Sequence, residues 1–280
     1  MILQSKTEPT ETEQLEMDLL LEGIYRRYGY DFRNYVRPFI HRRIWNRIRS
    51  ENLKTISGLQ ELILHDSAMM DKLFSDLSIN VTEMFRNPDF FKAIRTFVLP
   101  ELRKLPSIRI WHVGCSTGEE VYSMAILLHE EGLYGRTKIY ATDMNRNILE
   151  KAKQGVFPLN RMQAYTKNYM NAAGTGAFSE YYESGGEVVT FHPYLKANIA
   201  FAQHNLATDP SFNEFHLIIC RNVLIYFNKT LQNHVHELLY NSLYAQGFLG
   251  LGHREGITFT SREQNYELFQ PAEKIFRKIQ

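Results

Sequence analysis

The residues best suited to chemistry lie between Arg109 and Asp143, in the run RIWHVGCSTGEEVYSMAILLHEEGLYGRTKIYATD. Gly114 and Gly118 bracket a short turn, Glu119 and Glu120 follow at once, and Asp143 closes the segment. Glycines there let the backbone turn sharply and pass close to a ligand. The flanking residues say which elements must hold the turn. Ile110, Trp111 and Val113 are strand formers. Val121, Tyr122, Ala125, Leu128 and Leu133 recur at mostly helical spacing, and Lys138-Ile139-Tyr140-Ala141 reads as a returning strand. This is a βαβ unit, which presents its ligand beyond the carboxyl ends of its strands.

A dinucleotide site calls for GxGxxG and a bare helix N-terminus to take the pyrophosphate. Here the spacing is Gly114-x-x-x-Gly118, and two carboxylates occupy the place of the phosphate. A second anion would be repelled there. The acids suit a ligand without phosphate and with net positive charge, and S-adenosylmethionine (SAM) fits, with its sulfonium, ammonium and single carboxylate. Asp143 would accept hydrogen bonds from the two ribose hydroxyls. The segment alone also allows a plain α/β core turn with a capping acid.

Other blocks carry a resemblance. Residues 80–91 read NVTEMFRNPDFF and residues 219–227 read ICRNVLIYF. Together with GCSTGEE and ATD, in this order from about Ile24 onward, they resemble the CheR-type chemotaxis receptor glutamate methyltransferases. The resemblance implies a class I SAM-dependent methyltransferase domain, Rossmann-like, with a small inserted antiparallel β-subdomain, after a small all-helical domain. It also implies esterification of glutamates on the cytoplasmic signalling helices of chemoreceptors, with S-adenosylhomocysteine as the other product.

The family's motifs then assign roles residue by residue. Arg86 would lie at the cofactor's methionine end and hold one acceptor oxygen while the other attacks. The alternative is a linker salt bridge. Asn80 and Thr82 match cofactor-bonding positions, although Thr82 could equally begin a helix. Tyr226 would steer the incoming carboxylate, or else pack on the sheet edge. Arg221 and Asn222 match cofactor contacts, with a structural ion pair as the alternative for Arg221. Asn205 and Leu206 match the pair flanking the adenine. Glu120, and Gly114 at the turn, match cofactor contacts, whereas Glu119 could simply cap the helix. A glutamate is already ionised at neutral pH, so no catalytic base is called for. Two departures stand out: Met84 replaces a commoner aromatic, and GHREG, with Arg254, replaces the commoner GHSES.

The rest of the chain sets the frame. With 32 Lys and Arg against 31 Asp and Glu, no global charge argues for nucleic acid or an anionic membrane. No apolar run approaches the ~20 residues that span a bilayer, and MILQSKTEPTETEQ lacks the features of a signal peptide. Two cysteines make no disulfide scaffold, so a reducing cytoplasm is the expected setting. Without CxxC or HExxH spacings no metal is expected, and a monomer is the expected state. Residues 1–13 read as a disordered tail and 14–78 as helical, with stripes Leu15, Leu19, Leu20, Ile24; then Phe39, Ile44, Ile48; then Leu59, Leu62, Ile63, Met70, Leu73. Residues 79–106 read as a linker helix region carrying the Asn80–Arg86 motif, and 107–280 as the SAM-binding domain. The β-subdomain is expected at about 170–204, with Val188–Phe191 and Ile199–Ala202 as its strands; in some family members it binds a tethering peptide. Arg33, Arg37, His41, Arg42, Arg43, Arg47 and Arg49 read as a docking face for acidic receptor helices, against a plain solvated face.

Overall fold

Thr10 starts the first helix. Its hydroxyl accepts the N–H of Glu13, and the Glu13 carboxylate accepts the N–H of Thr10, a reciprocal capping box. The computed structural model describes residues 9–78 and 82–279. Helix α1 (Glu11–Tyr28) therefore begins inside the tail expected over 1–13, because the cap makes Glu11 helical. The rest of that expectation, up to residue 8, lies outside the described residues.

Helices α2 (Arg37–Ser50), α3 (Ile56–His65) and α4 (Ser67–Leu77) follow, and together with Tyr226–Leu231 they make one compact unit. Its core takes Met17, Leu20, Leu21 and Ile24 from α1, a clean i, i+3, i+4, i+7 set. Leu15 and Leu19, expected in that stripe, are 60% and 52% exposed. The α2 stripe is as expected, completed by Ile40. Leu62 faces outward.

The α/β unit opens with α5 (Pro88–Ala93), a π-helical turn at Ile94–Val98 and α6 (Leu99–Leu102). The described part of the motif, 82–86, is not helical, where the linker helix was expected to carry it. Asn87 caps α5 with Pro88 in its first turn, and a residue before proline is disfavoured in the helical region, so Thr82–Arg86 stay irregular. Then come β1 (Ile108–Val113), α7 (Glu119–Glu130), β2 (Thr137–Asp143), α8 (Arg146–Gln154), β3 (Val156–Pro158), α9 (Met162–Asn171), β4 (Tyr182–Gly185), β5 (Val188–Phe191) and β6 (Ile199–Gln203). The chain closes with β7 (Phe215–Cys220), α10 (Lys229–Asn241), β8 (Leu243–Leu251), β9 (Tyr266–Gln270) and β10 (Ile275–Lys278).

Seven strands form one sheet in the order β6-β2-β1-β7-β8-β10-β9, parallel except for β10, which runs antiparallel to both neighbours. The β-subdomain is a separate antiparallel sheet, β3-β5-β4. It starts earlier than residue 170, because the short Val156–Pro158 stretch supplies one edge. Ile199–Ala202 leaves it: β6 pairs in parallel with β2, Ala202 opposite Thr142. As a half-exposed edge strand it has no alternation that could reveal its sheet. Among the described residues no helix is long and apolar enough to cross a membrane.

Candidate active site

The turn after β1 is built from left-handed residues: Gly114 (φ +63°), Ser116 (φ +52°) and Gly118 (φ +96°). A Cβ on Gly114 would lie 2.7 Å from Val223 Cγ2, so the close approach of these chains requires glycine. Asp143, at the end of β2, ties the turn down. Its Oδ2 accepts the Ser116 N–H at 3.0 Å and its Oδ1 the Asn145 N–H at 2.9 Å. A carboxylate offers about four acceptor positions, so capacity remains for a ribose diol. Burial raises its pKa above the ordinary aspartate value, against the pull of the backbone donors.

The two acids at the start of α7 part company. Glu119 turns inward, 6% exposed, accepting from the Thr117 hydroxyl at 2.5 Å, and burial raises its pKa. Glu120 keeps an 18% exposed side chain and pairs with Arg221 Nη1 at 3.0 Å and His112 Nδ1 at 3.1 Å. Burial alone would raise its pKa, but these two partners hold it below the usual glutamate value.

The Arg86 segment is held in an unusual shape. Phe85 (φ +50°) and Asn87 (φ +56°) are both left-handed without being glycine, a strain of ~1–3 kcal/mol each that persists only when surroundings enforce it. The enforcement is visible. Asn168 Nδ2 donates to the Met84 carbonyl at 3.0 Å, and the Phe85 N–H donates to Ser123 Oγ at 2.8 Å. Arg221 donates Nη1 to the Arg86 carbonyl at 3.2 Å and Nη2 to Asn87 Oδ1 at 2.8 Å, its guanidinium 4.1 Å above the Phe90 ring.

Arg221 forms the structural ion pair that the sequence left open as its alternative reading. Its side chain is 1% exposed and braces Glu120 and the Arg86 segment. Asn222, next along, is left-handed (φ +61°). Asn205 is half-buried after β6, its Oδ1 accepting the Ala207 N–H, and Leu206 beside it is 8% exposed. Thr82 and Arg86 are half-buried. Asn80 lies outside the described residues. Tyr226 belongs to the helical unit, its ring 5.1 Å from that of Phe39 and its carbonyl accepting the Val36 N–H.

Three features escaped the sequence: His112 beneath Glu120, the anchors of Met84 and Phe85, and Glu255. The last is 7% exposed and accepts four backbone N–H groups, from Asn222, Val223, Leu224 and Gly252, at 2.7–2.9 Å. An acid in the glycine-flanked GHREG was the only signal available. The basic face also changes. Arg33 pairs with Asp31 and Glu22, Arg37 with Asp18, and Arg47 with Asp76 and Glu51. Arg42 remains exposed, and Arg43 lies 5.5 Å from the Phe39 ring.

The residues fit the cofactor that the sequence suggested. A buried carboxylate with acceptor capacity to spare stands at Asp143, a turn that a Cβ would block stands at Gly114, and acids occupy the helix start where phosphate would go. Sheet order and site together define a class I SAM-dependent methyltransferase. Residues 80–273 match the SAM-binding domain of CheR methyltransferases, and residues 15–78 match the all-alpha domain of the same enzymes. A Pseudomonas putida protein that carries the name methyltransferase Cher3 is 49% identical over 264 residues, 94% of this chain and 97% of that one. A chemotaxis protein methyltransferase of Listeria monocytogenes is 30% identical, over 87% of this chain and 91% of its own. That of Salmonella typhimurium is 28% identical, over 86% and 83%. The chain belongs to the CheR methyltransferase family.

Proposed function

We propose that this protein transfers a methyl group from SAM to glutamate side chains on the signalling helices of chemoreceptors, acting in the cytoplasm as a monomer. When bound, SAM supplies an electrophilic methyl on a sulfonium. The protein's own residues bind and orient. Asp143 accepts the ribose hydroxyls, Glu120 faces the methionine end, and Asn205 and Leu206 flank the adenine. Arg86 holds one oxygen of an ionised acceptor carboxylate and leaves the other free to attack, so positioning and desolvation replace acid–base help.

The observation that carries this reading is the Arg86 segment. Two strained residues flank the arginine, and three hydrogen bonds to the backbone and one to the Asn87 side chain fix it, within the unit that also carries Asp143 and Glu120. Such strain is characteristic of functional sites. Tyr226 as a second guide for the acceptor rests on the CRNVLIYF motif.

The test is methyl transfer from labelled SAM to receptor-containing membranes, followed by base-labile release. Receptor labelling that is lost in Arg86→Ala, and reduced ~10- to 100-fold in Tyr226→Phe with unchanged cofactor affinity, is expected. Transfer only to small acids or nucleic acid would overturn the receptor assignment.

A further inference from the structure

Glu255 is a buried acid whose carboxylate is held entirely by backbone amides of two separate segments. Each carboxylate oxygen takes two backbone N–H groups: Oε1 those of Val223 and Leu224 at 2.8 Å each, Oε2 those of Asn222 at 2.9 Å and Gly252 at 2.7 Å. Three consecutive amides of the turn after β7 and one at the end of β8 therefore converge on one anion. Gly252 makes this possible, because a Cβ there would lie 2.6 Å from Glu255 Oε2 and 3.1 Å from the Asn222 nitrogen. From the opposite side, Val223 packs over Gly114, where even one added carbon would come within 2.7 Å. The contacts run without a break from Glu255 through Val223 to the glycine turn that ends β1.

We propose that Glu255 is a positioning residue for cofactor binding: its carboxylate fixes the Asn222–Leu224 turn and, through Val223, the Gly114 turn in the geometry that receives SAM. It touches no reacting atom. The cost of the arrangement supports a role beyond folding. Burial raises the pKa of Glu255 despite its four donors, so its ionised form opposes folding at neutral pH. Asn222 adds a left-handed backbone. A turn needed only for the fold could close with backbone partners and avoid both expenses.

The inference rests on SAM being the cofactor, and its test needs no acceptor. Glu255→Gln keeps the shape but sets an amide N–H₂ against two of the four donors. Gly252→Ala leaves the charge alone and crowds the same contact. Affinity for S-adenosylhomocysteine is measured by calorimetry well below each melting temperature, beside amide exchange at Asn222, Val223 and Leu224. The glutamine variant is expected to bind at least ~10-fold more weakly and the alanine variant ~3-fold, with faster exchange at these amides. A purely structural role would lower the melting temperature and leave the affinity of the folded protein alone. Wild-type affinity in either folded variant overturns the proposal, and if the glutamine variant does not fold, Gly252→Ala decides alone. Because binding is read without a receptor, a failure of receptor methylation in the wild-type enzyme would leave this test standing.

Discussion

Arg221 Nη1 stands 3.0 Å from Glu120 Oε2 and 3.2 Å from the carbonyl oxygen of Arg86. One nitrogen serves both the acid at the start of α7 and the strained segment that carries Arg86. An arginine suits this task because its planar fork can satisfy several acceptors at once, whereas a lysine offers a single point charge.

Arg221→Met should therefore cost ~3–5 kcal/mol of stability, the usual scale for leaving one partner of a buried ion pair alone. Adding Glu120→Gln should recover part of the loss, since the unpaired charge is then gone. A double-mutant cycle from chemical denaturation reads the coupling. Strictly additive losses would show that the two side chains do not depend on each other.

Asp143 sets a pH dependence for cofactor binding. If its ionised form accepts the ribose hydroxyls as proposed, affinity should be level above its pKa in the folded protein and fall as pH drops through it. Because burial raises that pKa above 3.8, the fall should begin at higher pH than for an exposed aspartate. Asp143→Asn should remove this component and weaken binding ~10- to 100-fold at pH 7, the value of a charge-assisted hydrogen bond. Titrations of S-adenosylhomocysteine across the range where the fold is intact would show it. An unchanged pH profile in the variant would assign the ribose contact elsewhere.

His236 sets a pH dependence for stability. It is buried on α10, and burial lowers its pKa to about 4, against a bond to the Gly256 backbone. A histidine with a depressed folded pKa contributes stability that is fully present above its unfolded value near 6.5. That stability is lost as pH falls toward 4. Urea midpoints measured between these limits should decline more steeply for the wild type than for His236→Gln. Parallel declines would mean that other groups carry the acid sensitivity.

The basic face of α2 calls for a divided experiment. Arg47 is held by Asp76 and Glu51 within the helical unit, whereas Arg42 is exposed. Arg47→Glu should lower the melting temperature. Arg42→Glu should leave it unchanged and raise KM for receptor with nearly normal kcat, the signature of lost uniform binding. Wild-type kinetics in Arg42→Glu would make the face a solvated one.

The sequence made some features legible and hid others for physical reasons. The glycine turn and the strands beside it were readable because strand formers, glycines and helical spacing agree locally between Arg109 and Asp143. The α1 stripe was read out of phase because Leu15 and Leu19 are as apolar as Leu20, and only packing chooses among them. The sheet of β6 was hidden because a half-exposed edge strand pairs by backbone position rather than by side-chain pattern. Arg221 kept two readings, ligand contact or ion pair, because a motif records which residue is present and not which partner it holds. Glu255 was missed because its partners are backbone amides, which leave no trace in a sequence.

The two cysteines have a practical consequence. Cys115 and Cys220 are 3% and 0% exposed, and burial raises both thiol pKa values well above the ordinary range. Neither presents a thiolate to solvent, and thiol reagents attack thiolates. Maleimide dyes and spin labels should therefore pass over the native protein. A cysteine placed at an exposed position, such as Phe259 at 94% exposure, would be the single reactive site in the folded chain. Distances and motions could then be followed by fluorescence or magnetic resonance without first removing a native sulfur.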